Sequence, residues 1–91
     1  MHKVIYTEKV KIDLIEIQDY ISKDNLFYGF KVINSISNTI DLLETFPRLW
    51  IKMDDNNYSI VEKNYWYKIV YKIIKNNIYI LWIFKFKNNW Q

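Results

Sequence analysis

The sequence predicts an α+β fold: an N-terminal strand, an αα-hairpin, and a twisted antiparallel sheet of three to four strands packed against that hairpin. Two observations carry the prediction. Residues 8–44 place apolar side chains at helical spacing with no internal proline, whereas residues 58–84 form short apolar runs separated by asparagine-rich turns. A run of helices followed by a run of strands favours helices packed on one face of an antiparallel sheet.

The N-terminal half is predicted to form one short strand, residues 3–6, and two helices. Thr7 is a suitable N-cap for helix 1, which ends near Ser22. Asp24 or Asn25 caps helix 2, and this helix stops before Pro47 because proline disfavours the α conformation at the preceding residue. The predicted core-facing residues are Val10, Leu14, Ile17 and Ile21 of helix 1 and Leu26, Phe30, Ile33, Ile40 and Leu43 of helix 2.

The C-terminal half is predicted to be strands. Residues 49–53 and 58–63 flank an Asp-Asp-Asn-Asn turn, and residues 67–74 and 78–84 flank Asn76 and Asn77. Asparagine tolerates the left-handed conformation, so we expect these two residues to form a type I′ turn.

Pleating assigns the faces of the last two strands. On the first, it predicts one face toward the helices (Tyr67, Ile69, Tyr71 and Ile73) and an open, basic face (Lys68, Val70, Lys72 and Ile74). On the second, regular alternation puts Ile80, Trp82 and Phe84 on one face and Leu81 and Ile83 on the other. Both faces are then apolar, as in a central strand or an edge covered by a partner.

Composition limits the function classes. Ninety-one residues are expected to form one domain, 1–91, and the absence of cysteine excludes disulfides and thiolate metal sites. No signal peptide or membrane-length apolar run is visible, so we expect a cytoplasmic protein. Residues 1–62 hold ten acids and seven bases, whereas residues 63–91 hold six lysines and no acid. That asymmetry favours a nucleic acid, a nucleic-acid-handling enzyme or an acidic peptide as partner of the C-terminal half.

No catalytic or metal-binding motif stands out. The one histidine is His2, no glycine-rich phosphate loop is present, and we expect neither a metal nor another cofactor. Lysine can hold a phosphate as a point charge and an aromatic ring can stack on a base, although lysines on a strand also protect a sheet from aggregation. The residues that could bind an anionic partner in this way are Lys68, Lys72, Lys85 and Lys87, with Trp82 and Trp90. Trp90 is also suited to anchor the C-terminal tail by packing.

Five segments, in register and order, together resemble the ParE/RelE superfamily of bacterial type II toxins. They are residues 13–21 (DLIEIQDYI), 22–25 (SKDN), 43–49 (LETFPRL), 67–73 (YKIVYKI) and 80–90 (ILWIFKFKNNW). The resemblance covers the chain from about Lys3 to Trp90. It implies an αα-hairpin on a twisted antiparallel sheet, which agrees with the fold predicted from the pattern alone.

The resemblance also implies a partner. Toxins of this kind inhibit growth, stabilise plasmids, and are neutralised by a small antitoxin, ParD-like or of another type. Its acidic segment would wrap the domain, cover the basic sheet face and form a hetero-oligomer with it. The residues expected to bind the target or the antitoxin are Arg48, Lys68, Lys72, Lys85, Lys87 and Trp90.

Two activities and an inactive form are left open by the resemblance. RelE-like members cut mRNA on the ribosome without metal, and Lys68, Lys85 and Lys87 would then hold the phosphate. ParE-like members are associated with poisoning DNA gyrase, and an inactive module would bind only the antitoxin.

Departures from the RelE-like pattern favour the gyrase poison. Lysine replaces the common histidine at 85, asparagine replaces an arginine at 88, and the chain ends in Trp90-Gln91 rather than a catalytic tyrosine. Lysine lacks the planar fork with which arginine stabilises phosphate charge. Trp50 and Phe86 stand where the family usually has glycine.

Overall fold

The structure is a computed structural model that describes residues 2–86. It confirms the α+β fold, with one more strand than the upper count predicted for the antiparallel sheet. The elements are β1 (Lys3–Tyr6), α1 (Glu8–Ser22), α2 (Leu26–Asp41), a 3₁₀ turn (Leu42–Glu44), β2 (Ile51–Lys52), β3 (Asn57–Glu62), β4 (Tyr67–Ile74) and β5 (Asn77–Lys85). The strands form one sheet in the order β1-β5-β4-β3-β2.

The sheet is mixed, because β1 lies parallel to β5 while the other three pairings are antiparallel. A parallel pairing needs a long connection between the two strands, and the αα-hairpin and β2–β4 supply it. β4 and β5 are therefore interior strands. Their apolar character on both faces agrees with the central position that the sequence suggested for the last strand.

Both helices begin at the residues predicted to cap them. Thr7 Oγ1 accepts a hydrogen bond from the Val10 amide at 3.4 Å and donates one to the Ile80 carbonyl at 2.6 Å, so the start of α1 is tied to β5. Asn25 Oδ1 accepts from the Tyr28 amide at 3.0 Å. These acceptors satisfy amides that have no partner inside the first helical turn.

The buried stripe of α2 differs from the predicted one. Its fully buried residues are Gly29, Val32, Ile36 and Ile40, whereas Leu26 and Phe30 are exposed. Gly29 packs against α1 so closely that an added Cβ would lie 2.2 Å from Ser22 Oγ. A glycine at this contact lets the helix backbones approach, and this turns the neighbouring Leu26 and Phe30 outward.

The β4–β5 turn lies one residue earlier than predicted. Ile74 pairs with Asn77, so the loop residues are Lys75 and Asn76, and Lys75 is the one with a positive φ (56°). Pairing of Ile73 with Ile78, both in the core, fixes the register of the two strands. The turn therefore follows from burial, not from the asparagine preference.

The core lies between the helix pair and one face of the sheet. It contains Val10, Val32, Ile36, Ile40 and Leu43 from the helical layer, facing Tyr58, Ile60, Tyr67, Ile69, Tyr71, Ile73, Ile78, Ile80 and Ile83 of the sheet. The predicted inward face of β4 is thus confirmed. Within residues 2–86, no helix is long and apolar enough to span a membrane.

Candidate functional site

The sheet face turned away from the helices, called the open face below, carries lysines and aromatic rings. Strand register places three rows across β3, β4 and β5: Val61–Lys68–Phe84, Ser59–Val70–Trp82 and Asn57–Lys72–Tyr79. β1 adds Lys3 and Ile5, and β2 adds Ile51. None of the strand residues described on this face is acidic. The open face is therefore cationic and aromatic together.

A β-bulge puts Trp82 on the open face. Val70 pairs with Trp82 but Tyr71 pairs with Ile80, so Leu81 is an extra residue in β5. The regular alternation expected from the sequence was wrong at this point, because it grouped Ile80 with Trp82 and Phe84. Bulges change which side of a sheet the following residues face. Here Ile80 is fully buried in the core, whereas Trp82 and Phe84 are 47% and 46% exposed.

Lys68 lies at one end of this basic and aromatic surface. Its side chain is half-buried, and its ammonium lies 5.7 Å from the centre of the Phe86 ring. Lys72 lies four residues along the same strand, which places the two lysine Cα atoms roughly 13 Å apart at the usual rise of a strand. Trp82 is the neighbour of Val70, midway between them. The exposed Trp82 thus lies in the row between those of Lys68 and Lys72.

One carboxylate outside the sheet lies near Lys72. Asp54, in the β2–β3 turn, accepts hydrogen bonds from the Asn57 side-chain amide at 2.9 and 3.0 Å and from the Asn57 backbone amide at 3.1 Å. The Asn57 amide is the main reason that the pKa of Asp54 lies below its usual value, and the charge of Lys72 adds to the effect. Asp54 thus brings one negative charge to the end of the open face at which Lys72 lies.

Lys85 lies on the opposite, helix-facing side of the sheet. It pairs with Tyr67, its ammonium is 5.0 Å from the centre of the Tyr67 ring, and it donates to the Tyr65 carbonyl. It lines a pocket of about 480 Å³ between α1, α2 and the ends of β4 and β5, together with Asp13, Glu16, Tyr20, Tyr28, Tyr65 and Tyr67. Burial, with a smaller contribution from Glu62, raises the pKa of the Tyr67 phenol above its usual value.

A buried carboxylate that the sequence reading did not single out organises the β3–β4 loop beside this pocket. Glu62 is 1% exposed. It accepts from the Ser35 hydroxyl at 2.5 Å, the Asn64 amide at 2.8 Å and the Tyr65 amide at 3.1 Å. The hydrogen bonds to Glu62 hold the loop so that Tyr65 lies edge-on against Tyr28, with ring centres 5.4 Å apart. The sequence did contain a signal for Glu62, because it is an acid in a predicted strand at a position where alternation of side chains directs it toward the core.

The residues predicted to form a binding site do not all lie together. Lys68 and Lys72 share the open face, Lys85 is on the other side of the sheet, and Arg48 is exposed in the segment before β2. Lys87 and Trp90 lie outside the described residues. A phosphate clamp made from Lys68 and Lys85 together is therefore not formed in this arrangement.

Metal binding finds no support in the part of the chain that the structure describes. No three histidine, cysteine, aspartate or glutamate side chains come together there in a way that could hold an ion. Protein-held metals require such convergent ligands. The chemistry that the open face offers is instead attraction of negative charge by ammonium groups and stacking on exposed rings.

Comparison with known proteins gives one family. The family described as the ParE toxin of the type II toxin–antitoxin system parDE matches residues 4–90. Among solved structures, the fold is similar to one described as the chromosomal ParDE TA system from P. aeruginosa, with a TM-score of 0.83 and 16% sequence identity over 96% of this chain and 98% of the other. No curated protein sequence matches the chain. Because the family match spans nearly the whole chain and the fold agrees with it, the chain belongs to the ParE toxin family of type II toxin–antitoxin systems.

Proposed function

We propose that this protein is a growth-inhibiting toxin that poisons DNA gyrase in the cytoplasm and is neutralised by a small cognate antitoxin. The observation that carries the proposal is the ParE family match over residues 4–90. The structure adds a supporting argument against the alternative of mRNA cleavage. Lys68 and Lys85 lie on opposite sides of the sheet, so they do not converge on one phosphate.

The target is tested with purified protein and gyrase. We expect inhibition of supercoiling, together with accumulation of cleaved DNA when the reaction is stopped with detergent. A translating extract serves as the parallel assay for the RelE-like alternative, in which mRNA would be cut. Unaffected gyrase with intact mRNA would refute both activities, and unimpaired growth on overexpression would favour an inactive, antitoxin-binding module.

The antitoxin is the second part of the proposal. A basic, partly apolar open face suits an acidic segment that orders on binding, as disordered partner segments commonly do. A small reading frame immediately upstream of this one would encode it. We expect the two proteins to copurify and the complex to leave gyrase active. If coexpression neither rescues growth nor yields a complex, the antitoxin assignment is wrong.

A further inference from the structure

We infer that the open face binds single-stranded DNA, with Trp82 stacking on an unpaired base and Lys68 contacting the adjacent phosphate. The inference deepens the proposed function, on which its biological meaning rests: a toxin that holds unpaired DNA near a gyrase-cleaved site would oppose resealing. Binding itself needs no gyrase, so it can be measured separately.

The side-chain chemistry of the face is the first argument. Trp82 and Phe84 project from β5 two residues apart and are about half exposed. Rings that follow one another along a strand in this way form a stacking platform for successive bases. Lys68 lies in the same row as Phe84, on one side of the Trp82 row. Lys72 lies in the row on the other side of Trp82, so lysines border the platform on both sides.

The location of the face is the second argument, and it makes the antitoxin of the proposed function a competitor for the same surface. Peptides that add to a sheet do so at an exposed edge, where backbone groups are unpaired. β4 has a strand on both sides, but β1 pairs with β5 only as far as Ile80, so among the described residues the part of β5 that carries Trp82 and Phe84 has no strand on its other side. A peptide that adds to the sheet would use that edge, whereas a ligand that lies over the face meets the side chains of Trp82, Phe84 and the lysines and not Val70, which is 6% exposed. Stacking and point charges are what those side chains supply.

Charge is the third argument. The strand residues of the open face include Lys3, Lys68 and Lys72 and no acid. Residues 8–24 of the helical layer carry five acids (Glu8, Asp13, Glu16, Asp19 and Asp24) and three lysines (Lys9, Lys11 and Lys23), which leaves them net negative. A polyanion is thus directed to the open face and away from the helices. Lys68 lies in the row of Phe84 and next to the row of Trp82, so it borders both rings of the platform, which makes it the stronger phosphate contact. Duplex DNA hides its base faces, so the exposed rings favour a single strand.

The test is a fluorescence-anisotropy titration of the full chain with a labelled 15-nucleotide oligo-dT at several salt concentrations. We expect salt-dependent binding that W82A weakens by about 5- to 150-fold, the range for loss of one stacked base. W82F keeps a ring and should retain most of the affinity. K68Q should lower the salt slope by about 0.7, the value for one phosphate contact on a single strand. D54N should strengthen binding.

The helical layer provides matched controls. Lys31 lies 5.1 Å from the centre of the Phe27 ring, which copies the Lys68–Phe86 arrangement on the far side of the molecule, and Phe27 is 67% exposed. K31Q therefore repeats the change of K68Q away from the open face, and F27A removes an exposed aromatic ring there as W82A does on the open face. We expect both to bind oligo-dT like the unmodified protein, and circular dichroism to show that W82A is folded.

Several results would overturn the inference. Absence of oligo-dT binding, or equal binding by W82A, K68Q and the controls, would refute the site. If poly-glutamate displaced labelled oligo-dT as well as unlabelled oligo-dT does, and W82A had no effect on binding, charge alone would account for the binding. Tighter binding of the matching RNA by more than tenfold would refute the assignment to DNA. Gyrase inhibition without oligo-dT binding would remove this inference only, whereas oligo-dT binding without gyrase inhibition would remove only the proposed target.

Discussion

Replacing Glu62 by alanine removes the acceptor shared by the Ser35 hydroxyl and the amides of Asn64 and Tyr65. The site is 1% exposed, so water cannot simply take the place of the carboxylate. The β3–β4 loop would lose the anchor that connects it to α2. We therefore expect E62A to destabilise the fold and to loosen the wall of the pocket formed by Tyr65.

The magnitude follows from the three donors. A hydrogen bond to a charged group contributes about 1.5–3 kcal/mol to stability, and a buried donor left unpaired costs about 1–3 kcal/mol. Asn64 is exposed, so its amide can reach solvent. The Asn64 side chain donates to Ser35 Oγ at 2.9 Å, and that bond supplies no acceptor for the Ser35 hydroxyl hydrogen. The Ser35 hydroxyl and the Tyr65 amide therefore lose their acceptor, and we expect a loss of about 2–4 kcal/mol for E62A. E62Q keeps the shape and one acceptor oxygen, so it should lose about 1–2 kcal/mol.

Urea denaturation followed by circular dichroism measures both losses. A chain of this size is expected to have a free energy of unfolding of roughly 5–14 kcal/mol, so the larger loss is readily resolved. Glu16→Ala, at an exposed acid of α1, is the matched control and should change stability by less than about 0.5 kcal/mol. An E62A variant within about 1 kcal/mol of the unmodified protein, or an E62Q variant as unstable as E62A, would refute the anchoring argument.

Three other changes have clear expected outcomes. G29A alone should destabilise the fold by about 1–3 kcal/mol because its Cβ overlaps Ser22 Oγ. The S22A change removes this hydroxyl, which is buried and has no hydrogen-bond partner. In the S22A background, G29A should therefore be neutral or stabilising by up to about 1 kcal/mol. Y71F removes the buried hydrogen bond to the Pro47 carbonyl, 2.6 Å long, and should cost about 1–3 kcal/mol at neutral pH. Burial raises the pKa of Tyr71, so stability should be constant below pH ~10 and fall above it, less steeply in Y71F. Deletion of Leu81 should leave the strand pairing and the open face intact, because the bulge holds one residue too many.

Each of these is read by a specific measurement. Denaturation of the single and double variants gives the coupling between positions 22 and 29, and additive losses would contradict the steric overlap. A pH series at fixed urea reports on Tyr71, and an unchanged alkaline slope in Y71F would contradict its role. Acrylamide quenching, measured with and without W82F to separate Trp82 from the other three tryptophans, reports on the exposure of Trp82. Quenching of Trp82 would fall in the Leu81 deletion if the faces had exchanged.

Much of the fold followed from local patterns. The cap Thr7, the end of α1 and the inward face of β4 were predicted because each depends on a few neighbouring residues, and the cap of α2 is Asn25, one of the two residues that the sequence allowed. The parallel pairing of β1 was not predicted, because it depends on contacts between distant parts of the chain. Leu26 and Phe30 were assigned to the core because their spacing is helical, yet the close approach at Gly29 determines which face of α2 is buried.

The candidate site was half predictable. Lys68 and Lys72 are on the open face as expected, because successive side chains of a regular strand alternate between its two faces. Lys85 was grouped with them from its charge and from the family resemblance, and it lies on the other side of the sheet. Glu62 was not recognised, because a buried acid is meaningful only once its partners Ser35 and Tyr65 are brought near.

The sequence by itself determined the α+β class, the uneven distribution of charge and the family, since these depend on composition, periodicity and motif order. Tertiary structure alone decided where the C-terminal cations and rings point. One extra residue, Leu81, shifts the register of β5 against β4, so Trp82 joins the lysines while Ile80 and Ile83 fill the core. A bulge is a compromise between two strands and the layer beneath them, and no single strand encodes it.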